Sequence, residues 1–218
     1  MFKNLKSAHE ILGKKKTEDL IVALKDHFIE YHKLYEEKRA DWKIIPAEQV
    51  AQDIFDGYIP KNGDVNFRII DFGCGIDGLF EHKLADLVAT RDAKGNVYTL
   101  AVDVGDVDAG PQSWPKVLTE RGSKPRDGGL TSLDDAHTTF KCESLVGDYS
   151  SFETYSAKQM PLFDAGVLCL SIMAMDALPR ALLVASKTIK PCGTIFVVLD
   201  LWKFGVHAYV SLTHVSKA

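Results

Sequence analysis

The spacing of apolar positions changes near residue 65. Upstream, Leu20, Leu24, Phe28, Tyr31, His32 and Tyr35 recur three or four apart, the stripe of an amphipathic helix, with Thr17 as its N-cap. Pro46 is placed to open another helix through Val50, Ile54 and Phe55, and Gly57 to Asp64 reads as a loop. From Phe67 onward, short apolar runs alternate with helical stretches. Phe67, Ile69, Ile70 and Phe72 form a run typical of a strand covered on both faces, and Leu79 to Arg91 reads as the helix behind it. Further strands are expected at Asn96 to Val104, Phe140 to Val146, Phe163 to Ser171 and Thr194 to Trp202. Ala177 to Ile189 is the last helix, with Pro191-Cys192-Gly193 as a turn before the fifth strand. The alternation predicts an α/β domain, a doubly wound and mostly parallel sheet over residues 66–218, preceded by a helical cap over residues 1–65.

Composition narrows this picture without redirecting it. Hydrophobic residues make up 46% of the 218 and charged residues 26%, which suits a globular chain with room for a core. No apolar run reaches membrane-spanning length and the polar start does not read as a secretory signal, so no membrane partner is expected. Cys74, Cys142, Cys169 and Cys192 are scattered with no Cys-x-x-Cys pair, which speaks against a metal site and for reduced thiols in the cytoplasm or nucleus. A net charge of −4 provides no global footprint for nucleic acid. Lys14-Lys15-Lys16 and the group Arg121, Lys124 and Arg126 are short local clusters that permit an RNA partner without establishing one. The stretch 105–141, rich in Gly and Pro around a short helix at Trp114 to Arg121, breaks the rhythm and reads as a mobile surface insertion.

The candidate chemistry sits between the first strand and its helix, in Asp71-Phe-Gly-Cys-Gly-Ile-Asp-Gly78. Strand, glycine turn, helix is the context in which such a motif binds a ligand. Gly73 and Gly75 let the backbone bend and touch the ligand, and the helix N-terminus offers free N–H groups. Asp71 lies two residues before the first glycine, where it would repel a pyrophosphate and attract the ammonium of an amino-acid-like ligand, directly or through water. A zwitterionic cofactor, S-adenosyl-L-methionine, fits that pattern better than a dinucleotide. A nicotinamide site is the enzymatic rival.

In a doubly wound sheet the ligand lies beyond the carboxyl ends of the strands. Asp103, ending the second strand, reads as a ribose acceptor or as a surface turn acid. Asp148 could accept from an adenine amino group with Tyr149 packed on the ring, or close an Asx turn in Gly-Asp-Tyr-Ser. Cys169 in the fourth strand reads as core, with its backbone free to line a pocket. His32, alone on an apolar helix face, reads as a core histidine.

Several separated pieces resemble class I S-adenosylmethionine-dependent methyltransferases, and among them the nucleomethylin-like ribosomal RNA-processing methyltransferases. Phe28-Ile-Glu-Tyr-His32 followed by Trp42 and Pro46, the loop Asp71-Phe-Gly-Cys-Gly75, the segment Leu168-Cys-Leu-Ser-Ile-Met173 and the helix Leu183 to Gly193 are similar to that family's motifs. The resemblance covers Ile21 to Gly205 apart from the insertion. It implies a Rossmann-like fold over residues 66–218 and cofactor contacts at His32, Gly73, Asp103, Asp148, Tyr149 and Cys169. It also implies methylation of N1 of an adenine in large-subunit ribosomal RNA, in the nucleus or nucleolus. Asp176, just after the fourth strand, is the candidate catalytic residue, contacting the adenine amino group or taking its proton.

The chain departs from that family in three places. Ala174-Met175-Asp176 stands where Gly-Thr-Asn is usual, the insertion is long, and the sheet looks truncated at its C-terminal end, since Tyr209 to Val215 supplies one strand where two are expected. An incomplete sheet would leave an edge for a protein partner or a second copy. Three function classes follow: an RNA methyltransferase, a cofactor-binding scaffold of the same fold that methylates nothing, and a small-molecule or protein methyltransferase.

Overall fold

The computed structural model describes residues 3–12, 14–61, 64–90, 94–104, 138–151, 155, 162–171, 177–201 and 206–213. Three helices come first: α1 (Leu5–Leu12), α2 (Thr17–Arg39) and α3 (Pro46–Gly57). Then follow β1 (Asp64–Phe72), α4 (Leu79–Ala89), β2 (Lys94–Asp103), β3 (Thr138–Val146), β4 (Phe163–Cys169), α5 (Ala177–Thr188), β5 (Ile189–Leu201) and β6 (Val206–Thr213). The strands form one sheet in the order β3-β2-β1-β4-β5-β6. The first five strands run parallel and β6 runs antiparallel to β5. This is the doubly wound, Rossmann-like arrangement anticipated from the alternation.

Both faces of the sheet are covered, and the side-chain period of two sorts the strands between them. Val65 and Ile69 of β1 join Val97, Ala101, Phe140, Val167 and Phe196 in a core shared with Phe28, Val50, Ile54, Phe80, Leu84 and Val88 of α2, α3 and α4. The intervening Ile70 and Phe72 face the other way, into a second core with Leu100, Val102, Leu168, Val197 and Ala181, Val184 and Ala185 of α5. The helical cap and α4 therefore share one layer and α5 occupies the other. Asp71, next in the alternation after Ile69, is turned toward the α4 layer.

Some boundaries move. Lys16 occupies the cap of α2 and Thr17 is its first residue, so Thr17 is not the N-cap. The turn at Pro191-Cys192-Gly193 lies inside β5: Phe163 pairs with Ile189 and Ala165 with Thr194, so four residues bulge out, with Cys192 at φ 64°. Thr138 to Lys141 belong to β3, not to the insertion, and the rest of 105–137, with its expected short helix, lies outside the described residues. The last strand is Val206–Thr213, set a few residues earlier than Tyr209 to Val215, and it pairs with β5 along its whole length. Among the described residues no helix is long and apolar enough to cross a membrane, and no group of three or more His, Cys, Asp or Glu is placed to hold a metal.

Candidate functional site

Strand order reverses between β1 and β4, and the loops following those two strands open a crevice at the carboxyl end of the sheet. A cleft of about 900 Å³, counting the solvent at its mouth, lies there. Its floor is the glycine loop and the ends of β1, β2 and β4. Its roof is the apolar face of α2 and the start of α3.

The loop's backbone explains its composition. Gly73 and Gly75 have φ of 78° and 72°, the left-handed region that other residues enter at a cost. At Gly73 a Cβ would overlap Ser171 Cβ, and at Gly75 it would stand 3.5 Å from the His32 ring. The two glycines let the loop pass between β4's exit and the cap. Asp103 fixes it from below: Oδ2 accepts the Gly75 N–H at 2.8 Å and Oδ1 accepts the Val104 N–H at 2.7 Å. At the exit of β4, Leu170 sits at φ 58°, and its N–H donates to the Val198 carbonyl at 3.0 Å. A non-glycine residue held there at a cost of about 1–2 kcal/mol is a mark of functional loops.

The roof is aromatic. His32 Nδ1 donates to the Phe28 carbonyl one turn back at 2.8 Å, which leaves Nε2 directed away from the helix and beside Gly75. Tyr31, Tyr35 and Trp42 continue the surface, with Tyr35 and Trp42 in edge contact at 5.5 Å between centroids. Arg39 ties α2 to the loop: Nη2 donates to Asp77 Oδ2 at 2.9 Å, with both side chains largely shielded. On the opposite wall the Tyr149 hydroxyl donates to the Ser171 carbonyl while its ring packs by Gly73. Burial pushes the Tyr149 phenol above its ordinary range, with Asp103 and Asp148 adding to the effect.

Of the residues singled out in the sequence, His32, Asp71, Gly73, Gly75, Asp103, Tyr149 and Cys169 line one cleft. Asp148 does not. Its Oδ1 accepts from the Ser150 N–H at 2.8 Å and the Ser150 hydroxyl at 2.7 Å, so that oxygen closes an Asx turn. Asp176 lies outside the described residues. Cys74, Cys142 and Cys169 have thiols pushed up chiefly by burial, which suits packing and not nucleophilic work.

Sequence reading passed over three parts of this site. Tyr31 and Tyr35 were on the helical stripe, but nothing in the spacing distinguishes a stripe that lines a cleft from one that fills a core. Ser171 contributes an Oγ that is buried with no hydrogen-bond partner among the described residues. Glu81 is fully buried against Asp71, which is itself 2% exposed. Its signal was available, because Glu81 falls on the same face of α4 as Leu84, Ala85 and Val88. Burial, reinforced by Asp103, raises Asp71 to about 7 even though a hydrogen bond with Glu81 works the other way. Burial and the Asp71 charge put Glu81 well above the carboxylate range.

No protein-family profile matches the chain, and neither does any curated protein. Among solved structures it is similar to an rRNA methylase from Streptococcus thermophilus, at 12% identity and TM-score 0.43, over 80% of this chain and 99% of that one. It is also similar to the N-methyltransferase NodS from Bradyrhizobium japonicum WM9 in complex with S-adenosyl-l-homocysteine, at 16% identity and TM-score 0.38, over 90% and 73%. A third is the mitomycin 7-O-methyltransferase MmcR, at 18% identity and TM-score 0.45, where the match covers 83% of this chain but 43% of that one.

Proposed function

We propose that this chain binds S-adenosyl-L-methionine in the cleft above the glycine loop and is a methyltransferase. The observation that carries the reading is the sign of the loop's wall. Asp71, Asp77 and Asp103 line it, and the one guanidinium among the described lining residues, Arg39, is engaged by Asp77. A pyrophosphate would meet carboxylates there, whereas a ligand bearing ammonium and sulfonium charges would be stabilised. A buried polar atom of the lining residues, Ser171 Oγ, has no hydrogen-bond partner among the described residues. An orphaned group of this kind marks the place of a polar ligand.

In this reading Asp71 faces the ammonium, Gly73 and Gly75 admit the chain of the amino acid, and Asp103 at the end of β2 faces the ribose hydroxyls. His32 and Tyr149 close the cleft on opposite sides. Bound there, S-adenosyl-L-methionine supplies an activated methyl group. The chain's own contribution is alignment and exclusion of water under the aromatic roof.

The finer reading is an adenine of large-subunit ribosomal RNA as substrate, methylated at N1. It rests on the motif resemblance and on Tyr31, Tyr35 and Trp42 at the roof, flat surfaces on which an extruded base can stack. Asp176 is proposed to contact the adenine amino group, from its place in sequence after β4.

Calorimetric titration with S-adenosyl-L-homocysteine tests the cofactor, with binding expected and an absence of heat rejecting it. Transfer of tritiated methyl to large-subunit ribosomal RNA tests the substrate. Label on an adenine that is lost in Asp176→Ala supports the finer reading. Cofactor binding without label on RNA, protein or small molecules identifies a scaffold.

A further inference from the structure

Glu81 is a charged residue inside the main core, and the cleft's ligand does not reach it directly: it is fully buried and does not line the cleft. Its place follows from two periodicities. Alternation along β1 turns Asp71 toward the α4 layer, and the α4 face carrying Leu84, Ala85 and Val88 turns Glu81 toward β1. Packed between the same strand and helix, the two carboxyl groups act on each other's protonation. Both Glu81 oxygens and Asp71 Oδ1 are buried and receive no donor from any other described group. The titratable groups that act on the pair are Asp103 at the end of β2, Cys74 in the glycine loop, Cys142 on β3 and Cys169 on β4, none of them a cation. Two carboxylates cannot both stay ionised in such a place, and with no side-chain donor on these oxygens among the described residues a proton is shared between them.

We propose that Glu81 is a positioning residue: it holds one proton and donates it to Asp71, which keeps Asp71 ionised for the ammonium of the bound cofactor. The inference rests on the cofactor reading above and adds to it the group that makes a buried Asp71 usable. Asp71 lines the cleft and Glu81 lies behind it, so Glu81 acts only through its neighbour. Asp71 lies at the cleft, where a cation can stabilise its charge, and Glu81 is wholly enclosed, which makes Glu81 the proton's holder.

The test compares two ligands on the full chain. S-adenosyl-L-homocysteine carries the ammonium; 5′-methylthioadenosine has the same nucleoside and thioether without the amino acid. At pH 7.5, Glu81→Leu should weaken S-adenosyl-L-homocysteine about tenfold, because Asp71 loses its donor and takes up a proton itself, and leave methylthioadenosine within threefold. Glu81→Gln, whose amide still donates to Asp71, should stay within threefold of wild type for both. Glu81→Met is a second side chain without a donor, should the leucine variant not fold. A donor-less variant that binds S-adenosyl-L-homocysteine as wild type does, or that loses both ligands alike, overturns the role of Glu81 and leaves the cofactor reading standing. So does a folded Glu81→Gln that loses S-adenosyl-L-homocysteine tenfold. Wild-type protein that binds neither compound overturns the cofactor reading and this inference with it.

Discussion

Gly73 bears two constraints at once, a left-handed backbone and the side of Ser171 where a Cβ would go. Gly73→Ala is therefore expected to destabilise the fold by about 3 kcal/mol, lowering the unfolding midpoint by roughly 6–12 °C at this chain length, as scanning calorimetry would show. Asp103 accepts two backbone N–H groups, one of them in the glycine loop. In Asp103→Asn one of those N–H groups faces an amide NH₂ and loses its acceptor, which costs about 1–3 kcal/mol; S-adenosyl-L-homocysteine binding should weaken by at least tenfold, read by calorimetry. Much at this scale was legible beforehand. Asp71, Gly73, Gly75 and Asp103 sit at fixed places relative to strand ends, and topology alone brings strand ends together. Asp148 was ambiguous because one side chain suits both a turn and a ligand, and the Ser150 contacts show one of its oxygens in the turn. Glu81 escaped notice because a charge on a helix is read as solvated unless its stripe is traced across to the facing strand.

At the level of elements, α2 is what turns an open crevice into a cleft. Its stripe forms the roof, and Arg39 pins its last turn to Asp77 of the glycine loop. An ion pair whose side chains are 15% and 23% exposed is more sheltered than an ordinary surface pair. Arg39→Ala should loosen the roof: S-adenosyl-L-homocysteine affinity is expected to fall threefold to tenfold, with faster amide exchange over α2 in the ligand-free protein. Unchanged affinity and exchange would show that α2 is held by packing alone. Strand and helix positions followed from apolar spacing because parallel strands in this fold are buried on both faces. What spacing could not show was β5 starting before its bulge, since Pro191 to Gly193 carry turn residues whichever side of the strand's start they occupy.

For the whole molecule, burying Asp71 and Glu81 together links folding to pH. A carboxyl raised in the folded state binds protons the unfolded chain has already released. Its contribution to stability is full below the unfolded value near 4 and is lost as pH rises through the folded value, about 7 for Asp71. The ligand-free protein should thus lose stability between pH 5 and pH 8. Glu81→Gln should flatten that slope, as urea titrations at several pH values would show. Cofactor affinity should move the opposite way in wild type, rising from pH 6 to pH 8 as Asp71 ionises.

The bulge in β5 has a practical consequence. It leaves Cys192 exposed at the end of the sheet remote from the cleft, while Cys74, Cys142 and Cys169 are shielded and held as thiols. A maleimide dye should therefore couple rapidly to one sulfur per chain, and Cys192→Ser should abolish that fast phase. The label would ride at a distance from the cleft, giving a fluorescent or paramagnetic handle for following ligand binding without touching the residues that line it.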